Sequence, residues 1–387
     1  VSTFLAEGWK FKTDENEWGI NAEENEAYPF LRWEDFNAEN IWLGSQSSNA
    51  NLATNWSEAS VPTSTSAIRI PSETASNNTN LEVNSNLEIA SLVIENEEGN
   101  LVVLPTKSIK VNGNITNNGQ ITFKSDASGD AYFDEFSGSI SGTGEVVVEK
   151  FYPAERAFRM VTSPVDGGSI FDNWQNGGNN VTGIGTHITG QQGTVGQYDN
   201  STGIDYTDSG NPSLFGFSTA NGWGAITDTK NTNLEAGVPY RLMVRGDRGI
   251  DLNSNNAPPS PTTLIATGDL QVGDVTEEFP SAVSDGTTFA FVANPYQSRI
   301  DVSSLLSNNS NTDSNQLWVW DPMINDRGAF VTINQLSGNG TATPLVDGLT
   351  SQATKFIEPG HAFFIQLSGS DSEISFTESV KDVTTTI

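Results

Sequence analysis

The stretch 81-LEVNSNLEIASLVIENEEGNLVVLPTKSIKVNGNITNNGQITF-123 decides how this chain is to be read. Its apolar residues come in alternating pairs, Leu81/Val83, Leu101/Val103 and Ile121/Phe123, which return every twenty residues or so and are followed by Ile140 alone. Secondary pairs, Leu87/Ile89 and Ile109/Val111, fall between them, and Asn112-Gly113 and Asn118-Gly119 mark corners. Alternation with a period of two is the mark of a strand with one buried face. A return near twenty residues suits a β-solenoid, in which each rung buries its face only by stacking on the next. The other reading of the same pattern is an antiparallel meander with Asn-Gly hairpins.

Upstream of this stretch, residues 8–33 read GWKFKTDENEWGINAEENEAYPFLRW, a cluster of rings (Trp9, Phe11, Trp18, Tyr28, Phe30, Trp33) set among glutamates. We read 1–40 as a small aromatic and acidic cap with the rings as its core, and 41–150 as the solenoid-like region. Within the latter, Trp42 and Trp56 bracket a polar loop before Pro62. Val1 opens without a charged or apolar leader, so the chain is read as a mature segment or fragment of a longer one.

Beyond Lys150 the sequence repeats itself in order. FRMVTSP (158–164) is matched by FAFVANP (289–295), SLFGFST (213–219) by QLWVWDP (316–322), and GWGAI (222–226) by GAFVTI (328–333). The fourth match is LEAGVPYRLMV (234–244) with IEPGHAFFIQL (357–367). The fold expected is therefore all-β: a short solenoid followed by two related β-sandwich or jelly-roll-like subdomains, 151–270 and 271–387.

Composition narrows the function. Forty-eight acidic residues face 18 basic ones, for a formal net charge of -30. Such a surface repels nucleic acid and anionic membranes, and no apolar run approaches the roughly 20 residues that span a bilayer. With no cysteine in the chain, stability is expected from burial and metal rather than disulfides.

The two histidines, His187 and His361, stand apart from any nucleophile or zinc-ligand pattern, and His361 aligns with Val238 of the earlier copy. Paired carboxylates for glycoside chemistry arise by accident among 48 acids and carry little weight. Calcium, which takes six to eight oxygen ligands, is the metal expected. Its candidate ligands are Asp321, Asn325 and Asp326 in DPMINDRG, and Asp251, Asn253 and Asn255 in DLNSNN, with Asp205 and Asp208 in GIDYTDSG. All of these also make ordinary Asx turns. Trp174 and Trp223, in glycine-rich surroundings, are the rings expected to be exposed and to stack on a sugar, whereas Trp318 and Trp320 share a strand face and are read as core. The basic run RLMVRGDRG (Arg241, Arg245, Arg248) could hold a carboxylate or an acidic neighbour; its RGD string carries no meaning by itself.

The phrases FRMVTSPV, GIGTHITG, GIDYTDSGNPSLFGF, LEAGVPYRLMVRGDR, FVANPYQSRID, LWVWDP and EPGHAFFIQ resemble a module of large secreted, adhesin-like surface proteins of Bacteroidota, especially flavobacteria. The resemblance covers nearly the whole chain, and its motifs are structural phrases that carry no catalytic residues. It implies export by the type IX secretion machinery, through a sorting tail expected to follow Ile387, and an extracellular or cell-surface location. The function expected is a non-enzymatic stalk or binding head for a surface glycan or protein ligand. The alternatives are a carbohydrate-binding appendage or polysaccharide-active enzyme, and a secretion cargo without a ligand of its own.

Overall fold

The computed structural model describes residues 18–20, 29–31, 39–74, 78–218, 220–254, 256–278, 289–312, 315–334, 336, 341–342, 351–367 and 373–383. The chain divides into two compact units, Val1–Asn40 and Ile41–Ile387. In the first, Trp18–Ile20 and Pro29–Leu31 pair antiparallel, with Trp18 opposite Leu31. Trp9, Phe11, Tyr28 and Trp33 of the ring cluster lie outside the described residues.

The solenoid occupies residues 67–148 and makes about three turns. Leu81, Leu101, Ile121 and Val146 stack in one column, and Val83, Val103, Phe123 and Val148 in the next, all on parallel strands in register. A second sheet stacks Leu87 on Ile109 and Ile89 on Val111, with Phe133 following Ile109. Ile140 does not close the first column, where the sequence pattern put it; it pairs with Ile115 on a third sheet, whose inward residues Ile68/Ile70, Leu92/Ile94 and Ile115 complete each rung. The pairing from rung to rung is parallel in all three sheets, which excludes the hairpin meander; the one antiparallel pair within 67–148 among the described residues is the short excursion Ser125–Asp126 with Gly129–Asp130. Every one of these columns points inward because alternate strand residues face opposite sides of the sheet, and all but Ile140 are buried.

The corners explain the glycines. A β-carbon on Gly119 would lie 2.2 Å from the Gly99 carbonyl oxygen and 2.5 Å from that of Asn96. On Gly144 it would lie 2.2 Å from the Gly119 oxygen, so the same corner is stacked rung on rung with no room for a side chain. Buried Asn117 closes the turn, its Oδ1 accepting from Gly119 N (3.1 Å) and its Nδ2 donating to Glu145 O (3.2 Å). Gly119→Ala is expected to destabilise the protein by roughly 1–3 kcal/mol, the cost of overpacking a closed site. Urea denaturation of the variant checks this, and an unchanged midpoint would show that the corner has slack.

Both ends of the solenoid are covered. At the first rung, Trp42 and Trp56 meet edge to face at 5.1 Å, and Trp56 Nε1 donates to Ala50 O (2.8 Å). At the last rung, Glu145–Tyr152 continues past the parallel sheet and pairs antiparallel with Thr262–Leu270 over seven residues, from Val146↔Gly268 to Tyr152↔Thr262. An open parallel edge is thereby paired rather than left to aggregate.

Two further sheets follow. The first runs Ala157–Val161, Tyr240–Val244, Leu214–Ser218, Gly222–Ala225; the second runs Phe289–Ala293, Ala362–Gln366, Gln316–Asp321, Ala329–Asn334, with Thr341–Ala342 added at its edge. The strands carrying matched sequence phrases hold matched places in the two orders. The stretch 151–270 is not a sandwich closed on itself, since Val165–Gly167 and Thr262–Leu270 belong to the solenoid sheet. Each four-residue alternation instead gives its sheet an aliphatic face and an aromatic face. Tyr240, Leu242 and Val244 join the core that continues into the solenoid, while Val292, Leu317, Val331 and Ile365 pack with the helix Val302–Asn308.

The aromatic faces meet. Phe291 stacks on Phe364 (4.6 Å), Phe217 and Trp223 abut both, and Phe158 reaches Trp320 (6.4 Å). Trp318 and Trp320 are half-buried in this layer, not in the core, which takes the alternate residues Leu317 and Val319.

Glu277 is a half-buried acid with one carboxylate oxygen, Oε1, left unpaired. It lies on Val275–Glu278 opposite Ile374 and accepts from the Ala293 amide. Burial pushes its carboxyl up to about 8, the Ala293 amide opposing. A carboxyl raised on folding lets the folded state hold a proton that the unfolded chain has released, so stability falls as pH rises from about 4.5 to about 8. Glu277→Gln keeps the acceptor and removes the titration. It is expected to leave stability at pH 4.5 unchanged and to raise it at pH 8.5 by about 1–3 kcal/mol, the range for an unsatisfied buried group. Thermal melts at the two pH values check this.

Candidate functional site: an arginine-lined pocket

The run RLMVRGDRG is distributed over three surroundings. Arg241, on the aromatic face, lies over Trp223 (4.2 Å), Phe215 (4.6 Å) and Phe158 (4.8 Å). After Val244 the strand ends at Gly246 (φ +141°), and buried Asp247 ties the turn by accepting from Gly249 N (2.8 Å) and Gly183 N (2.7 Å). The turn sends Arg248 inward. It grips Asp205 with both ends of its guanidinium, at 2.9 Å and 2.8 Å.

Around Asp205 the polar groups form a closed cluster. Gln175 Nε2 (3.0 Å) and Ile188 N (3.0 Å) donate to its Oδ2. His187 Nδ1 stands 3.2 Å from Oδ1, off the hydrogen-bond line, while its Nε2 meets Arg248 O at 2.9 Å. Asp205 and Arg248 are each 2 % exposed. The acidic partner expected for this basic run is therefore Asp205, a residue otherwise read as a calcium ligand.

Arg245 is left facing outward, and there it meets two arginines from elsewhere. Arg156 comes from the turn before Ala157–Val161, and Arg327 from the turn between Gln316–Asp321 and Ala329–Asn334. The three line an open pocket of about 210 Å³. Its floor carries the buried hydroxyls Thr189, Thr207 and Ser213, and its apolar walls are Phe158, Pro212, Met243 and Leu252. Asp208, Ser209, Asn211 and Asn253 complete the lining. Burial lowers the proton affinity of Arg156, and the Arg327 charge adds to it; Arg245 is lowered by burial and then by Arg156 and Arg327. Among the described residues no carboxylate lies within ion-pair distance of Arg245 or Arg327.

The residues singled out from sequence take other places. Trp174 is 3 % exposed and meets Tyr240 edge to face at 5.8 Å, so its ring belongs to the core and presents no face to a sugar. Trp223 is half-buried under Arg241 and against Phe217 (5.1 Å). Asp321 accepts from Met323 N (2.9 Å) and the Ser351 hydroxyl; Asn325 is left-handed (φ +58°) and Asp326 exposed. Asp251 Oδ1 accepts from both Asn253 N and Nδ2 at 2.9 Å, an Asx turn, and Asn255 lies outside the described residues. Among the described residues, no three His, Asp or Glu side chains gather as a metal site would require. His361 lines a separate groove of about 440 Å³ with Trp320 and Met323; burial, then the Lys150 and Arg159 charges, keep its imidazole neutral.

Arg156 and Arg327 were not anticipated from sequence. The available signal was their scarcity: in a chain with 18 basic residues, each arginine set at a strand end merits a question. In the turn DPMINDRG the acids are the conspicuous residues, while its arginine is what reaches the pocket.

The family model described as Domain of unknown function (DUF8693) matches residues 41–386, from the first residue of the second compact unit almost to its end. No curated protein and no solved structure matches the chain.

Proposed function

The chain belongs to the family described as Domain of unknown function (DUF8693), and from that premise we propose that it is a non-enzymatic, extracellular module of a large bacterial cell-surface, adhesin-like protein. The solenoid serves as a stalk and the two sheets beyond it as a binding head, which we read as copies of one duplicated β-subdomain. The same strand order and the four sequence matches support the duplication.

The observation that carries the reading is the strand Glu145–Tyr152, which is at once the last rung of the solenoid and the partner of Thr262–Leu270. No residue separates stalk from head, so the head's orientation follows the stalk. Further ties act at the third rung. Gln297 Nε2 donates to Ala131 O (2.7 Å), Tyr132 Oη to Glu358 (2.9 Å), and Phe136 N to Glu378 (2.9 Å). A rigid stalk holding a pocket at its end suits presentation of a binding site. The net charge of -30 favours solubility outside the cell.

The arginine pocket favours a carbohydrate-binding variant of this reading over a polysaccharide-active enzyme. Glycoside hydrolysis asks for two carboxyl groups roughly 5–10 Å apart across the bond, and Asp208 is the one carboxylate among the pocket's lining residues. Antibody labelling of intact cells of the source organism tests the location. Surface label removed by external protease is the expected result, and label seen only after permeabilisation would overturn it.

A further inference from the structure

We propose that the pocket between Arg156, Arg245 and Arg327 binds one acidic sugar residue of a glycan chain, holding its carboxylate or sulfate on the guanidinium groups. The inference rests on the binding-head reading and names its ligand.

Charge is the first argument. The chain has 48 acidic residues and pairs several of its buried cations with them, as Arg248 with Asp205 and Lys150 with Asp130 (2.6 Å). Around this pocket it brings together three arginines from three separate turns, and for two of them, Arg245 and Arg327, no carboxylate of the described residues lies within ion-pair distance. Like charges so placed raise one another's cost, and that cost is relieved when an anion enters. Guanidinium is the group best matched to a planar carboxylate or to a sulfate, since it can donate two parallel N–H bonds.

Size and lining give the rest. Sites for drug-sized ligands run roughly 300–1,000 Å³, so a pocket of about 210 Å³ takes a single ring-sized residue. Phe158, Pro212, Met243 and Leu252 offer apolar surface to the C–H face of a sugar, and Ser209, Asn211 and Asn253 offer donors and acceptors to its hydroxyls. The pocket is open to solvent, so further residues of a glycan can extend outward. A nucleic acid is excluded by the repulsion of its many phosphates from the rest of the surface.

Isothermal titration of the full chain tests this with trigalacturonate, neutral galactotriose, sulfated galactotriose and sodium sulfate. The expected result is at least tenfold tighter binding of an acidic trisaccharide than of the neutral one. Arg245→Gln should lose at least tenfold of that affinity. Arg327→Gln, in an exposed turn where folding is not at stake, should lose several-fold with an unchanged melting midpoint. Binding of only the carboxylated or only the sulfated sugar upholds the site and identifies which acid it takes.

Equal affinity for acidic and neutral sugars, full affinity in both variants, or sodium sulfate binding as tightly as either acidic sugar overturns the inference. So does the absence of binding to every probe. In each of those cases the binding-head reading stands or falls separately, on the surface labelling and on retention by other ligands.

Discussion

Asp205→Asn is expected to lower the stability of the protein by about 3–5 kcal/mol, the cost of removing one partner from a buried ion pair. The substitution keeps the shape of the side chain but leaves Arg248, 2 % exposed, without its counter-charge and removes a negative charge 3.2 Å from His187. Denaturant titration reads the loss directly. Adding Arg248→Met should restore part of it, because an uncharged pair no longer carries the desolvation penalty. An Asp205→Asn variant as stable as the parent would mean the cluster contributes packing alone.

The same cluster sets a pH dependence. Burial by itself would push the Asp205 carboxyl up, but the contacts from His187 and Arg248 outweigh it and hold the group below the usual carboxylate range. A carboxyl depressed on folding contributes stability that is present above the unfolded value, about 4, and is lost as pH falls through the folded value. Acid unfolding of the parent should therefore be steeper below pH 4 than that of Asp205→Asn.

Phe364→Ala is expected to cost a comparable 3–5 kcal/mol, the range for deleting a buried ring. Phe364 is 8 % exposed and stands at the centre of the layer joining the two sheets, stacked on Phe291 at 4.6 Å and edge-on to Phe217 (5.2 Å) and Phe330 (5.6 Å). Phe330, at the rim and 43 % exposed, serves as the control. Its alanine variant should lose about 1 kcal/mol or less, since truncation there leaves no closed cavity. Calorimetry distinguishes the two. Equal losses would place the coupling of the sheets somewhere other than this ring stack.

Much of the fold could be read from the chain because it is written in periodicities. The twenty-residue return of Leu81, Leu101 and Ile121 predicts stacked parallel strands, and they stack in register. The sheet of Ile68, Leu92 and Ile115 does not stand out in the sequence, since its spacing is longer and its members do not align with the obvious pairs. Alternation alone does not tell a buried aliphatic face from a shared aromatic one. Read by alternation, Trp318 and Trp320 fall in the core, whereas Leu317 and Val319 hold it in the folded chain.

The site was harder to foresee for a different reason. Asp205 and Arg248 are 43 residues apart, and Arg156, Arg245 and Arg327 come from three turns that only the folded chain brings together. A glycine-rich setting suggested exposure for Trp174. Its ring is buried instead, because the loop around it folds back over Tyr240 and the end of the solenoid.

On the function proposed, this module binds an acidic glycan and leaves its chain intact. The measurement that tests it most directly is to incubate the purified chain with immobilised polysaccharides, neutral and acidic, scoring both the protein retained and the reducing or unsaturated ends released. Retention on an acidic polysaccharide, weakened in Arg245→Gln and without any new chain ends, is the result predicted. Release of chain ends that rises with protein concentration would contradict it and make the pocket a site of catalysis.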